Sequence, residues 1–284
     1  MITQKEIIDI AEKKKLKTST IDKDWVLGHF LNAFYSLEST KTNFIFKGGT
    51  ALKKCYFNDY RFSEDLDFTL LDKKFIVDDV FIKNIMKTAT KNSGIQFHIL
   101  KQKFQKSDEE GQGYEIKINY WGADHKPNQK PLPVNRWQTQ IKLDISFSEK
   151  IISEPVKKSI FHEYSDMDTI TNIIPVYSIN EVISEKTRAL IQRNRPRDIY
   201  DIAFLSKIIE TENYTVIKEM LIKKATDKQI KINGITDFVN ENKGSINKRA
   251  WQSSLGHHLA IGQLPDFNTT YSVVSLFIEQ ILKS

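Results

Sequence analysis

The sequence NFIFKGGTALKKCYFNDYRFSEDLDFTLL, residues 43–71, carries the strongest structural signals in the chain. Residues 44–46 form a short apolar run that is typical of a buried strand. Residues 47–50, Lys-Gly-Gly-Thr, interrupt this run, and Thr50 is a favoured N-cap residue for a helix over residues 51–57. A strand, a glycine-rich turn and a helix are therefore predicted in direct succession.

The last part of this stretch, residues 65–70, alternates with the two-residue period of a strand. The alternation places Asp65, Asp67 and Thr69 on one face and three apolar residues on the other. Neighbouring carboxylates repel each other unless a cation lies between them, and a glycine-rich turn before a helix can receive an anion. Each signal alone is more typical of a solvated edge strand or an ordinary turn, but together they predict a site for a metal-bound phosphate.

The overall composition is that of a globular protein of about two domains. The chain has 284 residues, of which 40% are hydrophobic and 27% are charged. Because domains contain on the order of ~150 residues, this length corresponds to about two of them. Its formal charge of +6 comes from 42 Lys and Arg against 36 Asp and Glu. This mild excess is compatible with a polyanionic partner and equally with a solvated lysine-rich surface.

The sequence predicts a cytoplasmic protein that does not enter the membrane. No apolar run approaches the ~18 residues that span a bilayer, and the first residues lack the apolar segment of a signal peptide. A single cysteine, Cys55, excludes an internal disulfide, and its apolar helical neighbours predict a buried position.

Hydrophobic periodicity predicts the remaining elements of the first half of the chain. Helices are expected within residues 1–40, with a break at residues 19–22 and a new start near Trp25. A further helix is predicted at 78–91 and strands at 95–100, 114–121 and 139–147, with a polar turn at 107–113. In the last strand, Asp144 lies on the polar face, as Asp65 and Asp67 do in theirs.

From about residue 178 the pattern is helical to the end of the chain. We therefore expect a mixed-sheet domain with N-terminal helices over residues 1–174 and a helical domain over residues 175–284. On the first helix of the latter, Lys186 interrupts an apolar stripe formed by Ile179, Ile183 and Leu190. A lysine directed inward is costly to bury without an anion, so Lys186 is expected to meet one.

A cluster of charged residues surrounds the junction that follows this helix. Pro196 is predicted to start the next helix, on which Asp201 borders the packed face. Arg193, Arg195 and Arg197 gather at the junction and suit phosphate recognition. Structural salt bridges with Asp198 and Asp201 are the alternative interpretation.

The carboxylates suit Mg²⁺-dependent phosphoryl or nucleotidyl transfer, with Mn²⁺ as a substitute. Mg²⁺ takes oxygen ligands, usually one or two carboxylates together with phosphate oxygens and water. Asp65 and Asp67 project in parallel and can share such ions. Asp144 is interpreted as the third acid and a third metal ligand, which activates the attacking hydroxyl through a second ion. Gly48 and Gly49 allow the backbone to approach a phosphate closely.

Three motifs in this order resemble the AbiEii/AbiGii toxin family of nucleotidyltransferases, the toxins of type IV toxin–antitoxin and phage-abortive systems. They are KGGTAL at 47–52, RFSEDLDF at 61–68, and Glu185-Lys186 with Arg188-Ala189-Leu190 and RPRDIYD at 195–201. Together they cover roughly residues 44–205, whereas the remaining C-terminal helices match the family in character only.

The resemblance implies an α+β fold, in which a nucleotidyltransferase mixed sheet with flanking helices precedes a C-terminal helical domain. It implies that Gly49 and Thr50 hold the triphosphate of an NTP and that Asp65 and Asp67 bind Mg²⁺. Lys186 and Asp201 would complete an active site located between the domains. Within the same clusters, Lys47, Gly48, Ser63 and Arg197 are also assigned to nucleotide binding.

The leading hypothesis is a Mg²⁺-dependent nucleotidyltransferase that moves an NMP group from an NTP to an acceptor hydroxyl. The resemblance further implies a toxin restrained by a cognate antitoxin, with the 3′ end of tRNA as a possible acceptor. A catalytically silent module that binds nucleic acid or a partner protein is the alternative from another class. Kinase-like transfer of the γ-phosphate and a small-molecule acceptor also remain open.

Overall fold

A seven-stranded mixed sheet forms the centre of the first of two units into which the chain divides. The computed structural model describes residues 1–108 and 111–284, and for 101–108, 111 and 112 it describes the backbone alone. The first unit contains Met1–Glu149 and Pro155–Val176. The second contains Lys150–Glu154 and Tyr177–Ser284.

The sheet is built from strands of both directions. In chain order the strands are β1 (Phe44–Lys47), β2 (Asp65–Leu70), β3 (Gln96–Asp108), β4 (Gly111–Trp121), β5 (Gln140–Ser146), β6 (Val156–Ser159) and β7 (Ile173–Val176). Their spatial order is β3-β4-β5-β2-β1-β7-β6. The pairs β2–β5 and β1–β7 are parallel, and β1–β2, β3–β4, β4–β5 and β6–β7 are antiparallel. This mixed sheet with flanking helices confirms the predicted α+β fold.

The helices of the first unit lie mainly before β1 and after β2. They are α1 (Gln4–Lys14), α2 (Thr18–Phe34), α3 (Glu38–Asn43), α4 (Gly48–Ala51), a π-helical turn (Leu52–Tyr56) and α5 (Asp79–Ser93), with 3₁₀ turns at Val134–Arg136 and Met167–Thr169. The predicted break at residues 19–22 is wrong, because the chain turns earlier, at Lys15, whose φ is 54°. Short polar side chains then fill the first turn of α2, a position that suits them.

Helix α2 packs against the apolar face of the sheet and thereby fixes the orientation of β2. Trp25, Phe30 and Phe34 are fully buried, and Phe34 stacks on Phe68 of β2 with ring centroids 4.5 Å apart. Each such side chain contributes roughly 1.5–3 kcal/mol by burial. Because Phe68 faces the core, the acidic residues that alternate with the apolar positions of β2 lie on the opposite face.

The alternation predicted for the last strand is confirmed in β5, where buried and half-buried positions alternate. The strands β3 and β4 are longer than predicted, because their antiparallel pairing continues through polar residues. Part of the predicted turn at 107–113 is therefore strand. Glu109 and Glu110 of that predicted turn lie outside the described residues.

A hydrogen-bonded carboxylate ties α2 to the segment between β6 and β7. Asp166 accepts the indole N–H of Trp25 at 3.1 Å, and its two oxygens lie 2.9 Å from His29 Nε2 and 3.1 Å from His162 Nε2. Burial lowers the pKa of His162 to about 4 although Asp166 opposes this shift. His162 is therefore neutral at pH 7, and the hydrogen bonds of Asp166 connect α2 with this segment. Cys55 is also buried, as predicted.

Asp22 anchors the start of the loop that follows β4, and its burial makes stability depend on pH. Its Oδ1 accepts the N–H groups of Ala123 at 2.7 Å and Asp124 at 3.2 Å. Burial raises its pKa from 3.8 to about 6 despite these bonds. Because the folded state binds the proton more tightly than the unfolded state, the contribution of Asp22 to stability declines as the pH rises through this interval.

We expect Asp22→Asn, which keeps the acceptor oxygen, to remove this pH dependence. The wild type should lose stability as the pH rises, whereas the variant should not lose this contribution. The free energy of unfolding of the variant minus that of the wild type should therefore increase by up to about 3 kcal/mol from pH ~4 to pH ~6. Chemical denaturation of both proteins at several pH values measures this difference, in which the other titrating groups cancel. Parallel stability profiles would contradict the raised pKa.

The second unit is helical, as predicted from residue 178 onward. Its helices are α6 (Ile179–Gln192), α7 (Pro196–Leu205), α8 (Tyr214–Asp227), α9 (Glu241–Leu255) and α10 (Phe267–Lys283), with 3₁₀ turns at Thr211–Asn213 and Ile235–Asp237. Pro196 is the first residue of α7, as predicted. Across the described ranges, every helix falls short of the combined length and hydropathy that a membrane span requires.

A buried ion pair holds Lys150–Glu154 within the second unit. The Lys224 ammonium lies 2.9 Å from Glu181 Oε1 and donates to the carbonyl of Lys150 at 2.9 Å. Glu181 also accepts the backbone N–H groups of Ile152 and Ser153, each at 2.9 Å. Buried charges with several hydrogen bonds are costly to separate, so this segment is firmly attached to α6 and α8.

Candidate active site

Four side chains on the polar face of the sheet form one row across four neighbouring strands. Asp67 of β2 is directly opposite Lys47 of β1 and Asp144 of β5. Asp144 is in turn opposite Glu115 of β4. Neighbouring strands lie ~4.8 Å apart, and register partners project to the same side. The sheet thus places Asp67 beside Asp144, with Asp65 two residues along β2 on the same face.

Lys142, opposite Asp65 in the register, bridges the acids of β4 and β5. Its Nζ lies 3.0 Å from Asp144 Oδ2 and 3.2 Å from Glu115 Oε2. Burial lowers the pKa of Lys142, but Asp144, Asp65 and Glu115 together raise it above its ordinary value. For Glu115, burial acts in the direction of a higher pKa. The hydrogen bond and the charge of Lys142 outweigh burial and hold the pKa of Glu115 below its ordinary value. Both residues are therefore charged at neutral pH.

Neither Glu115 nor Lys142 is among the site residues that the sequence predicts. Their alternation with buried residues in β4 and β5 does place them on the polar faces of those strands. The missing information was the strand order, since only the pairing of β4 with β5 brings Glu115 next to Asp144. Nearest neighbours in a sheet of this kind cannot be read from periodicity.

The glycine-rich turn packs directly against the carboxylate row. Gly48 has a φ of +79°, a left-handed conformation that favours glycine, and a Cβ there would lie 2.1 Å from Asp67 Oδ2. A Cβ on Gly49 would lie 2.8 Å from Arg61 Nη2 and 3.0 Å from Ser63 Oγ. The absence of both side chains therefore lets the turn approach β2 and the loop before it.

Thr50 is placed differently from the prediction that it caps the helix. The helix α4 begins at Gly48, and Lys47 occupies the N-cap position without a side-chain cap. Thr50 is fully buried, and its hydroxyl donates to the backbone carbonyl of Asp65. The N-cap prediction is wrong because this carbonyl offers the hydroxyl a buried acceptor. The Thr50 hydroxyl is therefore part of the fold of the turn rather than a group presented to a ligand.

Replacing Gly48 with alanine is expected to disturb both the turn and the carboxylate of Asp67. Gly262→Ala is the matched control, because Gly262 has a similar φ of +84° with nothing within 4 Å of its Cβ position. Both variants carry the strain of a non-glycine residue at positive φ, about 1 kcal/mol or more. Only Gly48→Ala adds a steric clash with the carboxylate of Asp67. Thermal unfolding should show a larger loss for Gly48→Ala, and equal losses would contradict the close approach.

The donor set on this face fits a divalent cation with a preference for oxygen. Asp65, Asp67 and Asp144 offer carboxylate oxygens, the ligands that Mg²⁺ and Mn²⁺ take. All three are half-buried, so that water and phosphate oxygens can complete the coordination. A histidine or cysteine does not contribute to the row formed by these strands.

In the second unit, Lys186 meets the anions that the sequence led us to expect. Its side chain is 11% exposed, and its Nζ lies 2.6 Å from Asp201 Oδ2 and 3.2 Å from Asp198 Oδ1. Arg193 Nε lies 3.0 Å from Asp198 Oδ2. Burial raises the pKa of Asp198, but Lys186 and Arg193 outweigh it and lower the pKa overall. Salt bridges within the cluster, the alternative interpretation, are thus present.

The two other arginines near this junction differ in their exposure. Arg195 is exposed immediately before α7, and Arg197 is half-buried in its first turn. The site residues therefore fall into two groups. The first unit brings together Lys47, Gly48, Gly49, Thr50, Ser63, Asp65, Asp67 and Asp144, and the second brings together Lys186, Asp201 and their partners.

A mixed sheet that bears paired carboxylates beside a glycine-rich turn defines a nucleotidyltransferase. The chain belongs to the family of nucleotidyl transferase AbiEii toxins of type IV toxin–antitoxin systems, whose model matches residues 29–273. This match confirms the resemblance and extends beyond the motifs that carried it. The type IV toxin family implies an antitoxin as a partner.

Solved structures of low sequence identity share the fold. MenT4, a nucleotidyltransferase toxin from Mycobacterium tuberculosis H37Rv, is 15% identical with a TM-score of 0.67, over 100% of this chain and 91% of that one. A putative nucleotidyltransferase from H. pylori is 19% identical with a TM-score of 0.52, over 94% of this chain and 96% of that one. No curated protein gives a significant match to the sequence.

Proposed function

We propose that this chain transfers an NMP group from an NTP to an acceptor hydroxyl in a Mg²⁺-dependent reaction. The observation that carries the proposal is the pairing of Asp67 with Asp144 across two parallel strands, beside the Gly48 turn. Asp65 and Asp67 project from the same face of β2, where a divalent cation would relieve their mutual repulsion, whereas Asp144 already has Lys142 as a partner at 3.0 Å. The family match supports nucleotidyl transfer as the reaction that uses them.

In the proposed reaction the acceptor oxygen forms a bond to the α-phosphorus of the NTP. The bond from the α-phosphorus to the bridging oxygen breaks, and pyrophosphate leaves. Asp144, the third acid, accepts the proton of the attacking hydroxyl. When bound, Mg²⁺ supplies positive charge that offsets the charge of the phosphates in the transition state.

Asp65 and Asp67 are the residues that would hold the ion. Gly48, Gly49 and Thr50 are proposed to contribute backbone groups to triphosphate binding, because glycines allow a close approach of the main chain. Of the three, Gly48 is half-buried and the other two are buried. Lys47 and Ser63 lie next to this turn, and both are assigned to the nucleotide. Arg197 is assigned to phosphate recognition because its planar guanidinium suits phosphate oxygens.

Lys186 and Asp201 are proposed to act in the same reaction, as the resemblance implies. The chain is proposed to divide into a nucleotidyltransferase domain over residues 1–174 and a helical domain over residues 175–284. Lys186 and Asp201 are the contribution of the helical domain to the reaction. We further propose the 3′ end of tRNA as the acceptor, a cognate antitoxin as the partner and the cytoplasm as the location. The net charge of +6 is compatible with a polyanionic acceptor.

Incubation with each α-labelled NTP, Mg²⁺ and total cellular RNA, followed by gel electrophoresis, tests the substrate. We expect label from one or more NTPs in a band of tRNA size. Label in protein or in a small molecule would replace tRNA as the acceptor. Absence of label with every NTP and acceptor class, together with failure to bind Mg²⁺–NTP in calorimetry, would favour a silent binding module instead.

A further inference from the structure

Lys142 is an ammonium group placed within a cluster of carboxylates. Its Nζ contacts Asp144 Oδ2 at 3.0 Å and Glu115 Oε2 at 3.2 Å. Its register partner on β2 is Asp65, whose charge also acts on it. The three acids lie on three neighbouring strands, so that the ammonium is surrounded by acids on one face of the sheet.

This position is the one that a cation between the strands β4 and β5 would occupy. A divalent ion shared by Asp144 and Glu115 needs contact with an oxygen of each, and Lys142 already contacts both. Its aliphatic stem rises from β5 itself, so the charge is tethered to this place. An ion and the ammonium would repel each other strongly at such separation.

We propose that Lys142 takes the place of a second metal ion, so that the protein alone binds one divalent cation, at Asp65 and Asp67. This inference rests on the proposed function, since it concerns the metal of that reaction. Lys142 is then a positioning residue that holds Asp144 through a salt bridge rather than through a metal. The positive charge next to Asp144, the acid that acts on the acceptor hydroxyl, then comes from the Lys142 side chain rather than from an ion.

Counting bound Mn²⁺ tests the inference without measuring activity. Loss of the free-ion electron paramagnetic resonance signal is followed as Mn²⁺ is added, without nucleotide, to the wild type, Lys142→Met and Lys142→Arg. We expect one Mn²⁺ per chain for the wild type and for Lys142→Arg, and two for Lys142→Met. Thermal unfolding of each variant establishes that it is folded.

Lys117→Met is the matched control, because Lys117 lies beside the same Glu115 at 3.8 Å but belongs to β4 and has no salt bridge to Asp144. It should bind one Mn²⁺, like the wild type. Two ions in the wild type, or one ion in a folded Lys142→Met variant, would overturn the inference and leave the proposed function intact. No Mn²⁺ in the wild type would instead contradict the metal site of the proposed function.

Discussion

Replacing Asp67 with asparagine is expected to abolish nucleotide transfer while the protein stays folded. Asp67 lies at the centre of the carboxylate row, between Lys47 and Asp144. Removing a residue that hydrogen-bonds to a metal ligand typically lowers metal affinity or activity by about 10–100-fold. Removing the ligand itself should therefore lower the transfer rate by at least about 100-fold. The variant should remain folded, because the asparagine side chain keeps the shape of the aspartate and retains one acceptor oxygen.

Asp79→Asn provides the control for this variant. Asp79 is an exposed acid in the first turn of α5 that pairs with Lys83, and its replacement should leave transfer unchanged. Rates are measured with labelled NTP, and folding is followed by thermal unfolding. A folded Asp67→Asn protein with wild-type activity would refute the assignment of Asp67 as a metal ligand.

Replacing Lys186 with methionine is expected to cause the largest loss of stability among these variants. The ammonium lies between two almost fully buried carboxylates, those of Asp198 and Asp201. Asp198 keeps Arg193 as a partner at 3.0 Å, whereas Asp201 loses a 2.6 Å contact. Removing one partner of a buried pair typically costs about 3–5 kcal/mol, and denaturant unfolding measures this loss.

The double variant Lys186→Met/Asp201→Asn separates stability from catalysis. Neutralising Asp201 removes the charge that the single variant leaves buried, so the double variant should recover much of the lost stability. We expect it to remain inactive, because both residues are assigned to the reaction. A stable double variant with normal transfer would show that Lys186 and Asp201 serve the fold alone.

The positions of the principal acids could be predicted because strand alternation is a local property. Asp65, Asp67 and Asp144 each follow from the two-residue period of their own strand, and the structure confirms their half-buried faces. The packing of Lys186 followed from helical periodicity in the same way. Once a strand or helix forms, its period alone decides which of its residues share a face.

What could not be predicted depends on partners distant in sequence. Glu115 meets Asp144 only because β4 pairs with β5, and Lys142 bridges them for the same reason. Thr50 looked like a helix cap, but the carbonyl of Asp65, fifteen residues away, receives its hydroxyl. Tertiary hydrogen bonds of this kind override local preference.

Parallel reactions with α-labelled and γ-labelled NTP test the central claim most directly. Wild-type protein and Asp67→Asn are incubated with Mg²⁺, each labelled NTP and total cellular RNA, and the labelled products are separated. Nucleotidyl transfer predicts that α-label enters the acceptor, that γ-label leaves as pyrophosphate, and that Asp67→Asn yields neither product. Transfer of γ-label to the acceptor, or unchanged α-transfer by folded Asp67→Asn, would contradict the account.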